Sequence, residues 1–369
     1  MKGKKRILIL GNSHLVVFGF RGELIKRLLD EGNEVIVAFP NGPFGEGENT
    51  SREYGCQFIE VDMNRRGTNP FEDVVLFMKY LKVLKDTNPD VVLGYTVKCD
   101  VYGGIACRLL KIPFMPNITG IGKGLAEGGL TKQITVMLYK LATSKAQCIF
   151  FQNKSDRQFF IDNGIVFRKE RMLPGSGVNL EKYTPLAYPK DEKIIFTYIA
   201  RIMKAKGIEQ YLEAAELLKK KYNNIEFHIC GYCEENYTEV IQKAQDKGDI
   251  VYHGLVDDVI PYESISHCIV LPSFHPEGIS NVLLEAAACA RPIITTDRPG
   301  CRETVDDGVS GYLVKERDSQ DLIEKIEMFL TLDSASRMEM GMAGRKKVER
   351  EFSRDIVIDS YMNEIFGRV

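Results

Sequence analysis

The stretch Leu271-Pro-Ser-Phe-His-Pro-Glu277-Gly-Ile-Ser-Asn-Val-Leu-Leu-Glu285-Ala-Ala-Ala-Cys-Ala-Arg291-Pro292 decides how this chain is read. An apolar run, Cys268–Leu271, precedes it, and a second, Pro292–Thr295, closes it. Between them the spacing predicts a loop and then a helix over residues 279–290, which makes a strand–helix–strand unit. Gly278, Ile279 and Ser280 fall at the helix N-terminus, where free N–H groups and the dipole suit a phosphate or an electron-rich sugar oxygen. Glu277 precedes the helix and Glu285 lies about two turns inside it, so both can face a ligand. Carboxylates so placed can accept from vicinal hydroxyls, one pair on a hexose and one on a ribose. Taken alone, Glu285 could equally solvate a helix face, and Glu277 could simply complement the dipole.

The same alternation extends in both directions. Upstream, strands are expected at Ile194–Ile199, Ile225–Cys230 and Ile250–His253, with helices at 207–221 and 235–246; downstream, helices are expected at 318–331 and 335–349. The first half repeats the pattern. Its strands are expected at Arg6–Leu10, Glu34–Phe39, Cys56–Val61, Asp90–Leu93, Pro113–Asn117, Cys148–Phe151 and Arg171–Leu173, and its helices at 21–31, 71–87, 99–110, 131–145 and 154–163. Pro174-Gly-Ser-Gly-Val178 reads as a linker. The pattern predicts an α/β chain of two tandem doubly wound domains, 1–175 and 176–352. A last helix, within 353–369, is expected to pack back on the first domain. Parallel sheets of this kind put the ligand cleft at their carboxyl ends.

Composition agrees with a globular protein: 369 residues, 44% hydrophobic and 27% charged. That length suits two domains of roughly 150–190 residues. No run reaches the ~18–20 apolar residues of a membrane-spanning helix. Met1-Lys-Gly-Lys-Lys-Arg6 before Ile7–Leu10 is too short in its apolar part for a signal peptide, so the chain is expected in the cytoplasm. Residues 1–175 hold 25 Lys+Arg and 18 Asp+Glu (+7), and the remainder 24 and 33 (−9). A basic first half suits an anionic partner, such as a phospholipid surface or a pyrophosphate-linked substrate; chance asymmetry between solvated faces explains it equally well. No basic-aromatic stripe or binding motif points to nucleic acid. Nine cysteines are scattered, and only Cys230-Gly-Tyr-Cys233 has a metal or redox spacing, without the second pair a zinc site needs.

The 271–292 stretch resembles the Glu-x7-Glu signature of the family 4 glycosyltransferases. Ala200-Arg201-Ile-Met-Lys-Ala-Lys206-Gly207 is similar to that family's Gly-Arg-Leu-x3-Lys-Gly motif, with alanine for the first glycine. His253-Gly254-Leu255-Val256 is similar to the loop that borders the nucleobase. Thr119-Gly-Ile-Gly-Lys-Gly-Leu-Ala-Glu127, Phe151-Gln-Asn153-Lys-Ser-Asp156 and Leu173-Pro-Gly-Ser-Gly-Val-Asn-Leu180 resemble the capsular-polysaccharide branch, which is similar to N-acetylgalactosaminyltransferases that extend undecaprenyl-pyrophosphate-linked sugars.

The resemblance implies a retaining enzyme of the glycosyltransferase-B fold, with two Rossmann-like domains facing a cleft and a UDP-sugar as donor. The acceptor it implies is a saccharide on a polyprenyl pyrophosphate. It assigns Arg201 and Lys206 to the charge of the departing diphosphate and Glu277 to the hydroxyls of the transferred sugar. Glu285 is assigned to the ribose. Gly207, Leu255, Val256 and the backbone of Gly278, Ile279, Ser280, Asn281 and Val282 complete the nucleotide-sugar site. Relatives carry a Gly-Gly after the first strand; here the loop reads Gly11-Asn-Ser-His14, leaving His14 and Arg21 as acceptor or donor contacts. Where many relatives place a histidine after the fifth strand, this chain has Thr119-Gly120. A lone histidine is more often structural.

Gly120-Ile-Gly-Lys-Gly124 has the wrong spacing for a dinucleotide fingerprint, and no Ser or Thr follows Lys123 as a P-loop requires. The absence of any Asp-x-Asp predicts transfer without a metal, and no cofactor beyond the donor is expected. Leu130–Lys145 mixes apolar and basic residues at helical spacing. It could rest on anionic headgroups at the inner face of the membrane or pack on its own sheet. Two other activities fit the motifs: a UDP-sugar 2-epimerase, which needs no acceptor, and a non-catalytic nucleotide-sugar-binding subunit.

Overall fold

A computed structural model of the chain describes residues 3–42, 45–65, 67, 69–121, 129–190 and 192–367. The chain forms two compact units: residues up to Ser176 together with those from Asp355 onward, and Gly177–Arg354.

The first unit holds β1 (Arg6–Leu10), β2 (Glu34–Phe39), β3 (Gln57–Glu60), β4 (Val91–Tyr95), β5 (Phe114–Ile118), β6 (Ile149–Phe151) and β7 (Glu170–Met172). All pairings are parallel, in the order β3-β2-β1-β4-β5-β6-β7. Ile7–Leu10 and Val91–Tyr95 are wholly buried, as strands covered on both faces require. The helices are α1 (Phe20–Asp30), α2 (Glu46–Tyr54), α3 (Pro70–Thr87), α4 (Gly104–Leu110), α5 (Gly129–Thr143) and α6 (Lys154–Asp162). Asn69 caps α3, its side chain accepting from the Phe71 N–H ahead of a helix that opens on Pro70. Single π-helical turns, Leu15–Gly19 and Cys99–Gly103, lead into α1 and α4.

The second unit repeats the plan with β8 (Ile194–Ile199), β9 (Ile225–Cys230), β10 (Val251–Tyr252), β11 (Cys268–Leu271), β12 (Ile293–Thr296) and β13 (Gly311–Val314). Its sheet is parallel, in the order β10-β9-β8-β11-β12-β13. Its helices are α7 (Ile208–Lys221), α8 (Thr238–Asp246), α9 (Ile260–Ile265), α10 (Asn281–Ala288), α11 (Ser319–Leu330) and α12 (Ser334–Glu351). A final helix, α13 (Arg354–Phe366), buries Tyr361, Met362 and Ile365 among Ile7, Ile9, Tyr95 and Phe150 of the first sheet.

The two ends of the second unit lie side by side. The Val178 N–H donates to the Phe352 carbonyl at 2.8 Å, and the Arg354 N–H to the Val178 carbonyl at 3.0 Å.

In each sheet the strand order reverses beside its first strand, between β1 and β4 and between β8 and β11. Doubly wound sheets bind ligands at the carboxyl ends of such strands. Three elements depart from the expected pattern: α2 and α9 are added helices, and β13 is an added strand. Among the described residues no helix is long and apolar enough to cross a membrane.

Candidate active site

Two loops at the reversal point of the second sheet carry the predicted charges. Arg201 leaves the end of β8, and Lys206 ends the single 3-10 turn Lys204–Lys206 that leads into α7. Glu277 sits in the loop that joins the neighbouring strand, β11, to α10. Gly207 lets the loops touch: its φ is 77°, and an added Cβ would fall 2.1 Å from the Pro272 carbonyl oxygen. The Phe274 N–H donates to the Ala205 carbonyl at 2.8 Å and ties one loop to the other.

The cations and acids interact directly. Lys206 Nζ bonds Glu277 Oε1, and Arg201 Nη1 bonds Glu234 Oε2 from the loop after β9. His275 Nδ1 lies 3.9 Å from Glu277 Oε1. Burial opposes the charge on Glu277, yet Lys206, His275 and Arg201 together hold its carboxyl below the ordinary range. Arg201, Lys206 and Glu277 thus form one electrostatic unit, joined by Glu234 and His275, which no sequence motif had marked.

The helix N-terminus is only partly open. α10 begins at Asn281 and no side chain caps it. The Ser280 N–H is already taken by the Gly300 carbonyl, at 2.8 Å. The expected run of backbone donors from Gly278 to Val282 is therefore interrupted at Ser280. Gly300 has φ 91°, and an added Cβ there would meet the Glu277 carbonyl oxygen at 2.8 Å. Ile279 is buried in the core and Val282 packs against it. The Asn281 side-chain oxygen is buried without a hydrogen-bond partner, as an acceptor awaiting a donor would be.

Glu285 sits in the second turn of α10, closer to the helix start than expected, and in a different cluster. Burial pushes its carboxyl up to about 7, and Lys182, Arg354 and the Tyr183 hydroxyl offset only part of that shift. Beside it Glu263, on α9, is fully buried with no oxygen or nitrogen donor on its carboxylate. Burial raises Glu263 to about 7 as well, and the charge of Glu285 adds to the rise. Arg291 donates to the Glu263 and Ala187 carbonyls, each at 2.7 Å, and so serves the backbone.

In the loop after β10, Leu255 is 70% exposed while Val256 packs on the core. His253 bonds His228 at 3.1 Å, and the Gly254 carbonyl accepts from the Gly231 N–H at 2.7 Å, so both anchor the loop that presents Leu255. All nine cysteines are free, with Cys230 buried and Cys233 partly so.

Comparison with known proteins decides what this constellation belongs to. Residues 186–347 match the family described as "Glycosyl transferases group 1", and residues 6–153 match "Glycosyl transferase 4-like". The chain is a glycosyltransferase. This glycosyltransferase is 28% identical, over 99% of both chains, to the Campylobacter jejuni N,N'-diacetylbacillosaminyl-diphospho-undecaprenol alpha-1,3-N-acetylgalactosaminyltransferase. It is 25% identical to the capsular polysaccharide biosynthesis glycosyltransferase CapM of Staphylococcus aureus, over 83% of this chain and 84% of that one. The crystal structure of Anabaena Alr3699/HepE, solved with UDP and glucose, superposes with a TM-score of 0.78 at 16% identity, covering 99% of this chain and 100% of that one. That likeness speaks to the fold, which is glycosyltransferase-B.

In the first unit of this glycosyltransferase, His14 Nε2 lies 2.8 Å from Thr50 Oγ1 and its ring leans on Phe18. Arg21 is buried, its guanidinium carbon 4.5 Å from the centre of the Tyr95 ring. It donates to the Phe20 carbonyl at 2.8 Å, and its Nε has no partner. Thr119 and Gly120 follow β5, half-buried, with Gly120 at φ 121°. Lys123, Gly124 and Glu127 lie outside the described residues. One residue that sequence reasoning passed over is Thr96, directly after β4, which holds φ 80°. Such a value in a β-branched residue is strained, and here it falls at the reversal point of the first sheet.

Proposed function

We propose that this glycosyltransferase moves an N-acetylhexosamine from a UDP-sugar to a saccharide carried on a polyprenyl diphosphate. Transfer retains the anomeric configuration, needs no metal ion, and takes place in the cytoplasm at the inner face of the membrane. The observation that carries the reading is the grouping of Arg201, Lys206 and Glu277 on the loops after two adjacent strands, β8 and β11.

On this reading the donor diphosphate takes the place of the carboxylates now held by Arg201 and Lys206. As the bond from the anomeric carbon to the β-phosphate oxygen breaks, the two cations face the charge that develops on that oxygen. The acceptor hydroxyl forms the new glycosidic bond on the face the diphosphate leaves, and its proton passes to the departing phosphate. Glu277, released from Lys206, accepts from hydroxyls of the transferred sugar, and Glu285 accepts from the ribose. Gly207 and the N–H groups of Gly278, Ile279, Asn281 and Val282 approach the phosphates and sugar; Leu255 and Val256 border the base. Contacts to the acceptor or donor from the first unit come from His14, Arg21, Thr119 and Gly120. The acceptor class is supported by the printed activity of the Campylobacter relative, and the uridine nucleotide by the ligand of the Anabaena structure.

The test is a donor screen by thermal shift, followed by transfer to a polyprenyl-diphosphate sugar with and without a chelator. Product linkage is read by nuclear magnetic resonance. An axial donor giving an axial product, undiminished by chelation, supports the proposal. Epimerised donor without acceptor, inverted product, or loss of activity on chelation contradicts it.

A further inference from the structure

The helices α3, α4 and α5 form a row, with α4 packed on both of the others. On α5 the residues Leu130, Ile134, Met137 and Leu141 are exposed, Leu130 to 71%. Their spacing, i, i+4, i+7 and i+11, is one straight stripe. The opposite side of the same helix buries Val136, Tyr139 and Ala142, so α5 is apolar on its outer side as well as its inner one. The outer side of α3 shows Phe71, Val74, Val75 and Met78, with Phe71 at 81%, and Leu109 at the end of α4 is exposed as well. An outward apolar surface shared by neighbouring elements marks an interaction site rather than scattered surface residues.

Its charges select the partner. From Gly129 to Gln147 there is no acidic residue; Lys140 flanks the stripe and Lys145 follows the helix, both exposed, while Lys132 lies on the inner side over the Phe159 ring. Lys82 and Lys85 continue the α3 face, and Arg108 and Lys111 close α4; Arg108 also donates to the Leu141 carbonyl and links α4 to α5. Among the described residues none of these cations forms an ion pair. Glu72 and Asp86, toward the two ends of α3, are the acidic residues exposed on this row.

We infer that this three-helix face rests on an anionic lipid bilayer, with the apolar stripes in the acyl boundary and the unpaired cations on the headgroups. A second copy of the chain is the poorer partner, because a two-fold interface would set the lysine rim against itself. The inference rests on the reading of a lipid-linked acceptor, to which it gives a platform.

Flotation of the full chain with phosphatidylcholine vesicles, and with vesicles that also contain phosphatidylglycerol, tests it. The chain is expected to float with the anionic vesicles and to be released by salt. Ile134→Glu with Met137→Glu is expected to reduce flotation about tenfold or more. Lys85→Gln with Lys140→Gln and Lys145→Gln is expected to remove the preference for phosphatidylglycerol. Both variants are expected to keep the wild-type melting temperature and wild-type transfer to a detergent-solubilised acceptor. Wild-type chain that stays with the unbound fraction, or glutamate variants that float undiminished, overturns the inference. So does a dimer in sedimentation that the glutamate variant dissolves. Vesicle binding without any transfer overturns the acceptor reading and leaves the surface standing.

Discussion

Lys206 and Glu277 neutralise each other, and so do Arg201 and Glu234, so the site sets its two cations against two carboxylates. Removing a cation deprives a diphosphate of its counter-charge and leaves Glu277 buried without its partner. Lys206→Ala and Glu285→Ala are each expected to lose most of the UDP-induced rise in melting temperature; a full shift in both would contradict their assignment. Glu263 makes a second prediction. Its carboxyl is raised from 4.5 to about 7, so the folded chain holds a proton that the unfolded chain has lost. The stability this lends is complete below pH 4.5 and drains away as pH rises through about 7. Glu263→Gln keeps the neutral form and is expected to stabilise the protein by on the order of 2–3 kcal/mol at pH 8 and by little at pH 4.5. Denaturant unfolding at the two pH values checks it. At this scale Glu277 and Glu285 were legible because they share one helix and its approach. Glu234, Glu263 and Tyr183 were not: each reaches the site from a distant stretch, with no spacing that ties it to its partner.

Among the elements, the turn from β8 to α7 bears most on the site. Gly207→Ala would strain a backbone at φ 77° and press a methyl group into the Pro272 carbonyl. The expected cost is about 2–4 kcal/mol in unfolding free energy, and kcat/KM is expected to fall about 100-fold or more as Lys206 is displaced. Urea unfolding and transfer kinetics read the two effects separately. The strands beside the site were readable because they are apolar runs ending at glycine- or proline-bearing loops; β1, β2, β8, β9 and β11 begin and end where expected. The helix Glu46–Tyr54 escaped notice because its sequence, EGENTSREY, has no apolar period; glycines in left-handed conformation bound it at both ends. The six-residue helix Ile260–Ile265 carries a proline at its start, and β13 is a short run that opens on Gly311, so neither gave a clear apolar signal. The occupied Ser280 N–H depends on a loop twenty residues away and could not be read from the helix itself.

For the whole molecule, the last helix matters most to the first unit. Ending the chain after Phe352 would remove Val357, Tyr361, Met362 and Ile365 from its core and expose Tyr95 and Phe150. Each lost large apolar side chain costs about 2–5 kcal/mol, more in total than a domain's usual margin. Calorimetry of the truncated chain is expected to retain the transition of the second unit and lose that of the first.

The chain enters the second unit at Gly177 and leaves it at Arg354, and those two points are hydrogen-bonded neighbours. A segment with adjoining ends can be excised from one gene and spliced into another without stretching the host at either junction. Residues 177–354 are in that sense a cassette. Chimeras that exchange it between relatives are expected to inherit donor preference from one parent and acceptor preference from the other, so recombination at these two seams offers a ready route to new glycans.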